Sequence, residues 1–326
     1  MPVFNAYHYE PLCTEDAVRL VVLIPAAKEA APLRCSIIQR QRSTQSEAYS
    51  ALSYTWGTYE FTRTLEIESD GDTSYMRITL NLDTALRQFR ASVKEICLWI
   101  DAICLNQNDE VEKAQQIPLM GHIYGEAKMV HIWLGPADHM TPSLFTFFRV
   151  ISRLAESEQN TMAERVASLL RKLCGHDNVA GLGALHKFFL RPWFSRRWVI
   201  QEACLAREAV VHCGGHSILL HSVALAAKRF QSLDLASYPI NMAANLLNPT
   251  TKRSMLELLW YFHDAECLEP RDRIAALSGL TLDKYSALLD YTVHWTQLYK
   301  QFASLVFDLG TEDAKLQLLL QLFEFG

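Results

Sequence analysis

Apolar and polar residues alternate through YSALSYTW (Tyr49 to Trp56), a segment rich in strand formers, and this period of two predicts a strand. LEIES and YMRIT flank DGD and predict a hairpin. Past Asn81 the period changes: Leu82, Ala85, Leu86 and Phe89 fall on one helical face, with Asn81 as the candidate N-cap. Ile96 to Ile100 is an unbroken apolar run of strand length, as expected of a strand covered on both faces. In DEVEKAQQIPLMGHIYGEA the residues Ile117, Met120, Ile123 and Ala127 return to helical spacing, and Pro118 marks a kink or a new first turn. MVHIWLGP is a second buried strand, ended by Gly-Pro. A right-handed crossover through the intervening helix makes these two strands parallel neighbours in one sheet.

From Pro142 onward the periodic apolar positions are mostly helical, at Leu144 to Leu154, Val166 to Leu173, Leu256 to Phe262 and Leu298 to Leu309. VVHCGGHSILL is the exception and predicts a hairpin. No repeat period, low-complexity tract or long polar linker interrupts the chain. The expected organisation is an α/β core over residues 1–215 with a helical insertion at about 142–190, and a mainly helical extension over 216–326 packed on that core.

Composition narrows the functional classes. Half of the 326 residues are hydrophobic and 21% are charged, the balance of a compact globular chain. A formal net charge of −5 gives no general attraction to phosphate backbones or anionic lipid, so no nucleic-acid partner is expected. The basic cluster of Arg34, Arg40 and Arg42 is adequately explained as a solvated face. RLVVLIPAA is too short to span a bilayer, and the N-terminus has neither a basic leader nor an apolar signal core. Eight cysteines are scattered with no CxxC pair, most of them in or beside apolar runs, which points to a reducing, cytoplasmic location. His131, His212, His216 and His221 do not reproduce a metal-ligand spacing, since the glycines of HCGGH belong to a turn, and no metal is expected.

Two segments carry candidate chemistry. LWIDAICLNQ places Asp101 at the end of a buried strand, where it either caps the next turn or faces a ligand. Open α/β sheets bind ligands beyond the carboxyl ends of their strands, and Asp101 and Gly135 both stand at such ends. RPWFSRRWVIQEACLA offers Ser195 as a helix cap, with Trp198 and Glu202 four apart on one face. Its plainer reading is an Arg–Glu pair with Trp packing on a helix docked to the sheet. EPRDR, with Arg271, Asp272 and Arg273, reads as a salt-bridged helix start, and Cys104 as a buried thiol with no His nearby in sequence to activate it. No GxGxxG, GxSxG or Walker pattern occurs.

YSALSYTWG, ITLNLDTALRQFR, LWIDAICLNQNDEVEKAQQIPLMGHIYGEAKMVHIWLG and RPWFSRRWVIQEACLA resemble the successive blocks of the fungal HET (heterokaryon incompatibility) domain. EPRDRIAALSGL and LLDYTVHWTQLYKQFASLVF are similar to the segment that commonly trails it, so the resemblance runs from about Phe4 to about Phe307. It implies a role in fungal nonself recognition, where the domain acts as a death effector, usually joined to sensor regions. It also implies a TIR/flavodoxin-like α/β fold with a mostly parallel sheet. Several TIR domains cleave NAD⁺ at the nicotinamide–ribose bond, using a Ser followed by Trp-Cys-x-x-Glu with the Glu catalytic. Ser195, Trp198 and Glu202 reproduce the Ser, the Trp and the step to Glu, while Val199 replaces the Cys.

On this resemblance Glu202 and Asp101 are the candidate catalytic residues. Tyr54, Trp56, Gly57, Asn106, Gln107, Gly135, Ser195 and Trp198 are the candidate substrate-binding residues. No tightly bound cofactor is implied, and NAD⁺ enters as a candidate substrate. Nicotinamide is already cationic in NAD⁺, so the site needs a carboxylate to stabilise an oxocarbenium-like ribosyl centre and room for water, not a general acid. Trp56 or Tyr54 offers a stacking face.

Two further readings stand beside the hydrolase. The domain serves as a non-catalytic module that self-associates or binds a partner, its polar residues being structural. Alternatively the scaffold is a stand-alone biosynthetic enzyme, such as a cofactor-free cyclase or pericyclase acting on an apolar fungal metabolite held among Trp56, Trp133, Trp193 and Trp198. The closing of the chain at QLLLQLFEFG, with no sensor or repeat array, favours the enzyme of secondary metabolism. Asp101, Asn106, Gln107 and Glu202 favour the hydrolase.

Overall fold

The computed structural model describes residues 5–42, 49–69, 71–154, 159–174, 178–231, 237–247, 253–281 and 293–309. Among the described residues nine strands form one sheet: β1 (Ala17–Leu23), β2 (Arg34–Gln41), β3 (Ser50–Tyr54), β4 (Arg63–Ser69), β5 (Asp72–Ile78), β6 (Ile96–Trp99), β7 (Val130–Trp133), β8 (Ala209–Cys213) and β9 (His216–Leu219), in the order β5-β4-β2-β1-β6-β3-β7-β8-β9. The central strands β6, β3, β7 and β8 pair in parallel. Antiparallel pairing flanks them, β1 against β6 on one side and β9 against β8 on the other. Leu52, Leu98, Trp99, Ile132 and Val211 are fully buried, as two-sided coverage of central parallel strands requires.

The helices are α1 (Leu80–Phe89), α2 (Asp101–Cys104), α3 (Glu110–Gln116), α4 (Met120–Glu126), α5 (Thr141–Ser152), α6 (Gln159–Cys174), α7 (Asn178–Phe189), α8 (Val199–Cys204), α9 (Leu220–Gln231), α10 (Tyr238–Asn245), α11 (Met255–Tyr261), α12 (Asp272–Ala275) and α13 (Trp295–Leu309). The mixed α/β class is the expected one, and α5 to α7 form the helical run predicted between the strand at 130–133 and the RPWFS segment. Phe148, Phe188, Phe189 and Phe230 pack in a ring cluster that joins this run to α9.

Three local expectations are corrected. β6 and β7 are parallel but not neighbours, because β3 lies between them, pairing Ala51 with Trp99 on one side and with Val130 on the other. Every residue from Ala51 to Tyr54 is buried, so this strand gains more from a central slot than from an edge. Helix α1 is capped by Thr79, whose hydroxyl accepts from Leu82 N, and not by Asn81. The Asn81 side chain instead donates to Thr55 O at 2.6 Å and accepts from Trp133 Nε1 at 3.0 Å, tying the ends of β3 and β7 together. Ser195 does not cap α8. It ends a 3-10 turn at Pro192–Ser195, and its hydroxyl bonds back to Pro192 O at 3.1 Å.

Other punctuation is where the sequence puts it. Pro118 sits in a 3-10 turn between α3 and α4. The hairpins β4–β5 and β8–β9 both form, the second straddling residue 215 with Gly214 at φ +51°.

Candidate functional site

β3 and β6 run in parallel, and β6 ends at Trp99 opposite Ala51 while β3 runs on to Tyr54, so the residues after both strands lie toward the same carboxyl end of the sheet. Trp56 follows β3 and Asp101 follows β6, and Trp56 Nε1 donates to Asp101 Oδ2 at 2.9 Å. The other carboxylate oxygen, Oδ1, accepts from Ala102 N at 2.7 Å at the start of α2. Asp101, the first residue of α2, therefore holds the next backbone N–H with one oxygen and presents the other to the half-buried indole. Gln107 Nε2 donates to the Asp101 carbonyl at 2.9 Å and closes the loop behind it. Burial pushes the Asp101 carboxyl above the usual carboxylate range, against the pull of the Arg196 charge and of the bonds from Trp56 and Ala102.

Glu202 lies deeper, on α8, and is 3% exposed. Its Oε2 accepts from Ser53 Oγ at 2.5 Å, and the same hydroxyl oxygen accepts from Trp193 Nε1 at 2.8 Å. The Tyr124 hydroxyl donates to Leu52 O at 3.2 Å, and its proximity favours the charged form of the Glu202 carboxyl. Burial raises Glu202 to about 7, opposed by Arg196, Ser53 and Tyr124 and reinforced by the negative charge of Asp101. Arg196 is the shared counter-charge: its guanidinium donates to the Tyr54 carbonyl and acts electrostatically on Asp101, Glu202, Tyr54 and Tyr124.

The structure thus brings Tyr54, Trp56, Asp101, Gln107 and Glu202 into one neighbourhood around Arg196. Gly57 adjoins it at φ +75°, a backbone conformation that glycine adopts without strain. Other candidates stand apart. Trp198 and Glu202 share a helix start but diverge, because Trp198 Nε1 donates to Asp272 Oδ2 at 2.8 Å while Glu202 turns to the sheet. Arg271 pairs with Glu269 at 2.9 Å, and the indole of Trp198 holds Asp272 in the EPRDR segment. Ser195 gives its carbonyl to Glu266 N at 2.7 Å. Gly135 has φ +95°, and the group that approaches it is Arg191, whose Nη1 donates to Leu134 O at 2.8 Å. Asn106 uses its backbone N–H on Glu112 Oε1 and its side-chain oxygen on Asn108 N, so it shapes the loop.

Sequence reasoning missed Ser53, Tyr124 and Arg196 as members of this neighbourhood. A signal existed for two of them. A serine in the middle of a strand buried on both faces must find a partner, and two carboxylates directed to one crevice call for a cation.

Among the described residues no group of three or more His, Cys, Asp or Glu is placed to hold a metal ion, and no helix is long and apolar enough to cross a membrane. A surface groove of about 350 Å³ opens between Pro11–Glu15 and α3, lined in part by Leu12, Asp109, Val111 and Glu112, and takes in none of the candidate site residues.

Residues 49–202 match the family described as heterokaryon incompatibility protein (HET). That span begins beside β3 and ends on Glu202, so it contains both carboxylates and Arg196. Heterokaryon incompatibility protein 6, OR allele, of Neurospora crassa is 33% identical over 245 residues, covering 64% of this chain and 35% of that protein. The chain therefore spans about a third of the length of this curated relative. No solved structure matches.

Proposed function

We propose, from the match of residues 49–202 to the heterokaryon incompatibility (HET) family, that this chain is an incompatibility effector that hydrolyses NAD⁺. The observation that carries this reading is the arrangement of half-buried Asp101 and buried Glu202 around the guanidinium of Arg196 at the carboxyl end of β3 and β6. In the reaction the bond from the ribosyl carbon to the pyridine nitrogen breaks, and its electron pair leaves with neutral nicotinamide. Water adds to the ribosyl carbon, giving ADP-ribose and one proton. Asp101, the outer carboxyl, supplies negative charge to the oxocarbenium-like centre beside the Trp56 ring. Glu202, near 7, takes up the proton from water at neutral pH.

Purified protein, free and artificially clustered, is expected to release nicotinamide from NAD⁺, and Asp101→Asn and Glu202→Gln to abolish release while keeping the fold. Undiminished release in either variant removes that residue from its role. The module reading has its own support: Glu202 is 3% exposed and its carboxyl is engaged by Ser53 and Tyr124, as in a structural buried acid. No release under any condition, with Glu202→Gln unfolded, favours that module.

A further inference from the structure

Helix α2 is four residues long, Asp101–Cys104, too short to hold itself together, and its orientation decides where the Asp101 carboxylate points. The carbonyls at a helix C-terminus have no partner within the helix. Here they are met from distant parts of the chain. Tyr9 Oη donates to Ile103 O at 2.9 Å, and Arg19 Nη1 donates to Cys104 O at 3.2 Å.

Arg19 is itself fixed. Its guanidinium engages Glu112 through two bonds, Nη1 to Oε1 at 2.6 Å and Nη2 to Oε2 at 2.9 Å, with the two residues 2% and 8% exposed. Glu112 Oε1 also accepts from Asn106 N at 2.8 Å, so one buried pair grips both the end of α2 and the loop after it. A two-point pair of this kind has one geometry, and in the interior it tolerates little displacement. The Tyr9 ring lies against the Arg19 guanidinium, 4.9 Å from centroid to Cζ.

Tyr9 belongs to a strap laid across the sheet. Tyr7 N donates to Tyr75 O at 3.0 Å and Tyr75 N to Asn5 O at 2.8 Å, which fastens the strap to β5. Arg19 Nη2 donates to Glu10 O at 2.7 Å and Gln39 Nε2 to Pro11 O at 2.9 Å.

We propose that the strap at residues 5–11 and the buried Arg19–Glu112 pair form a latch that positions Asp101, so that releasing the strap withdraws the Asp101 carboxylate from Trp56. Tyr9, Arg19 and Glu112 are positioning residues, and the latch regulates the site on which the proposed hydrolysis rests. Whatever loosens the strap retunes the site without touching either carboxyl.

The test is read without substrate, so it fails separately from the hydrolase reading. The seven tryptophans are labelled with ¹⁵N, and the Trp56 indole is assigned with Trp56→Phe. Tyr9→Phe and Glu112→Gln are expected to shift the Trp56 indole N–H resonance and to speed its hydrogen exchange by about tenfold, the scale of one lost hydrogen bond. The Trp193 indole, bonded to Ser53, is expected to stay in place. Tyr9→Phe decides the matter if Glu112→Gln does not fold. An unmoved Trp56 resonance in folded Tyr9→Phe overturns the latch, and so do equal changes at Trp56 and Trp193, which indicate general loosening.

Discussion

Ser53 Oγ donates to Glu202 Oε2 at 2.5 Å, joining the middle of a central strand to a helix 149 residues later in the chain. The bond satisfies a fully buried hydroxyl and gives the buried Glu202 carboxyl a direct hydrogen-bond donor. Ser53 also receives the Trp193 indole N–H, so one side chain supports two buried polar groups.

Removing that side chain orphans the Trp193 indole N–H and takes from Glu202 one of the groups that support it. Ser53→Ala is expected to destabilise the protein by about 1–3 kcal/mol, the cost of leaving buried donors and acceptors unpaired. It should also raise the Glu202 carboxyl further, because the Ser53 bond favours the charged form. Urea unfolding reads the first effect and carboxyl ¹³C titration the second. A variant as stable as the parent, with Glu202 unmoved, would show that the bond carries no weight.

Stability should fall as pH rises from about 4.5 through about 7, through Glu202. Its ordinary value is 4.5 and in the folded chain it is raised to about 7. Between those limits the native state binds more protons than the unfolded one, so the slope of stability against pH is negative. The contribution is complete below about 4.5 and is lost as pH climbs through about 7, roughly 3 kcal/mol in all. Asp101, also raised, acts with the same sign. Glu202→Gln should flatten the loss between about pH 5 and about pH 8.5 in urea midpoints; parallel profiles for the two proteins would contradict it.

How much of this was legible beforehand depends on the reach of each signal. The period-two run at Tyr49 to Trp56 and the apolar run at Ile96 to Ile100 gave β3 and β6, and the end of the second run gave Asp101. Local periodicity carries no information on which strands are neighbours, so the insertion of β3 between β6 and β7 stayed hidden. Asn81 has a residue type suited to capping, yet a threonine two places earlier took the cap and released Asn81 to bridge Thr55 and Trp133. Trp198 and Glu202 obey the four-residue spacing, but α8 is so short that neighbours beyond the helix decide where each points. The Tyr9–Ile103 and Arg19–Glu112 contacts join residues 94 and 93 positions apart, a separation no window of sequence spans.

The Arg19–Glu112 pair should behave as a buried unit. Arg19→Met strands the Glu112 carboxylate and is expected to cost roughly 3–5 kcal/mol. Adding Glu112→Leu removes the stranded charge, so the double variant should recover a large part of that loss. Additive losses in a urea double-mutant cycle would mean that the two side chains do not depend on each other.

A second pH effect opposes the first and comes from the other side of β7. His131 Nδ1 lies 3.0 Å from His212 Nε2, and both rings pack on Phe89 with centroids 5.0 Å and 4.8 Å away. One nitrogen must donate and the other accept, which needs at least one neutral ring. Burial lowers His131, and burial together with the charge of His131 lowers His212 from 6.5 to about 4. Above about 6.5 neither state of the chain takes up a proton here, and nothing is lost. As pH falls below that value the unfolded chain binds protons that the native pair resists, so stability declines until about 4, where His212 titrates in place. His212→Asn keeps a polar group beside His131 while removing the titration, and should reduce the acid-side loss without altering the slope due to Glu202. Urea midpoints from about pH 4 to about pH 8.5 separate the two groups, and an acid limb as steep in His212→Asn as in the parent would assign it to other residues.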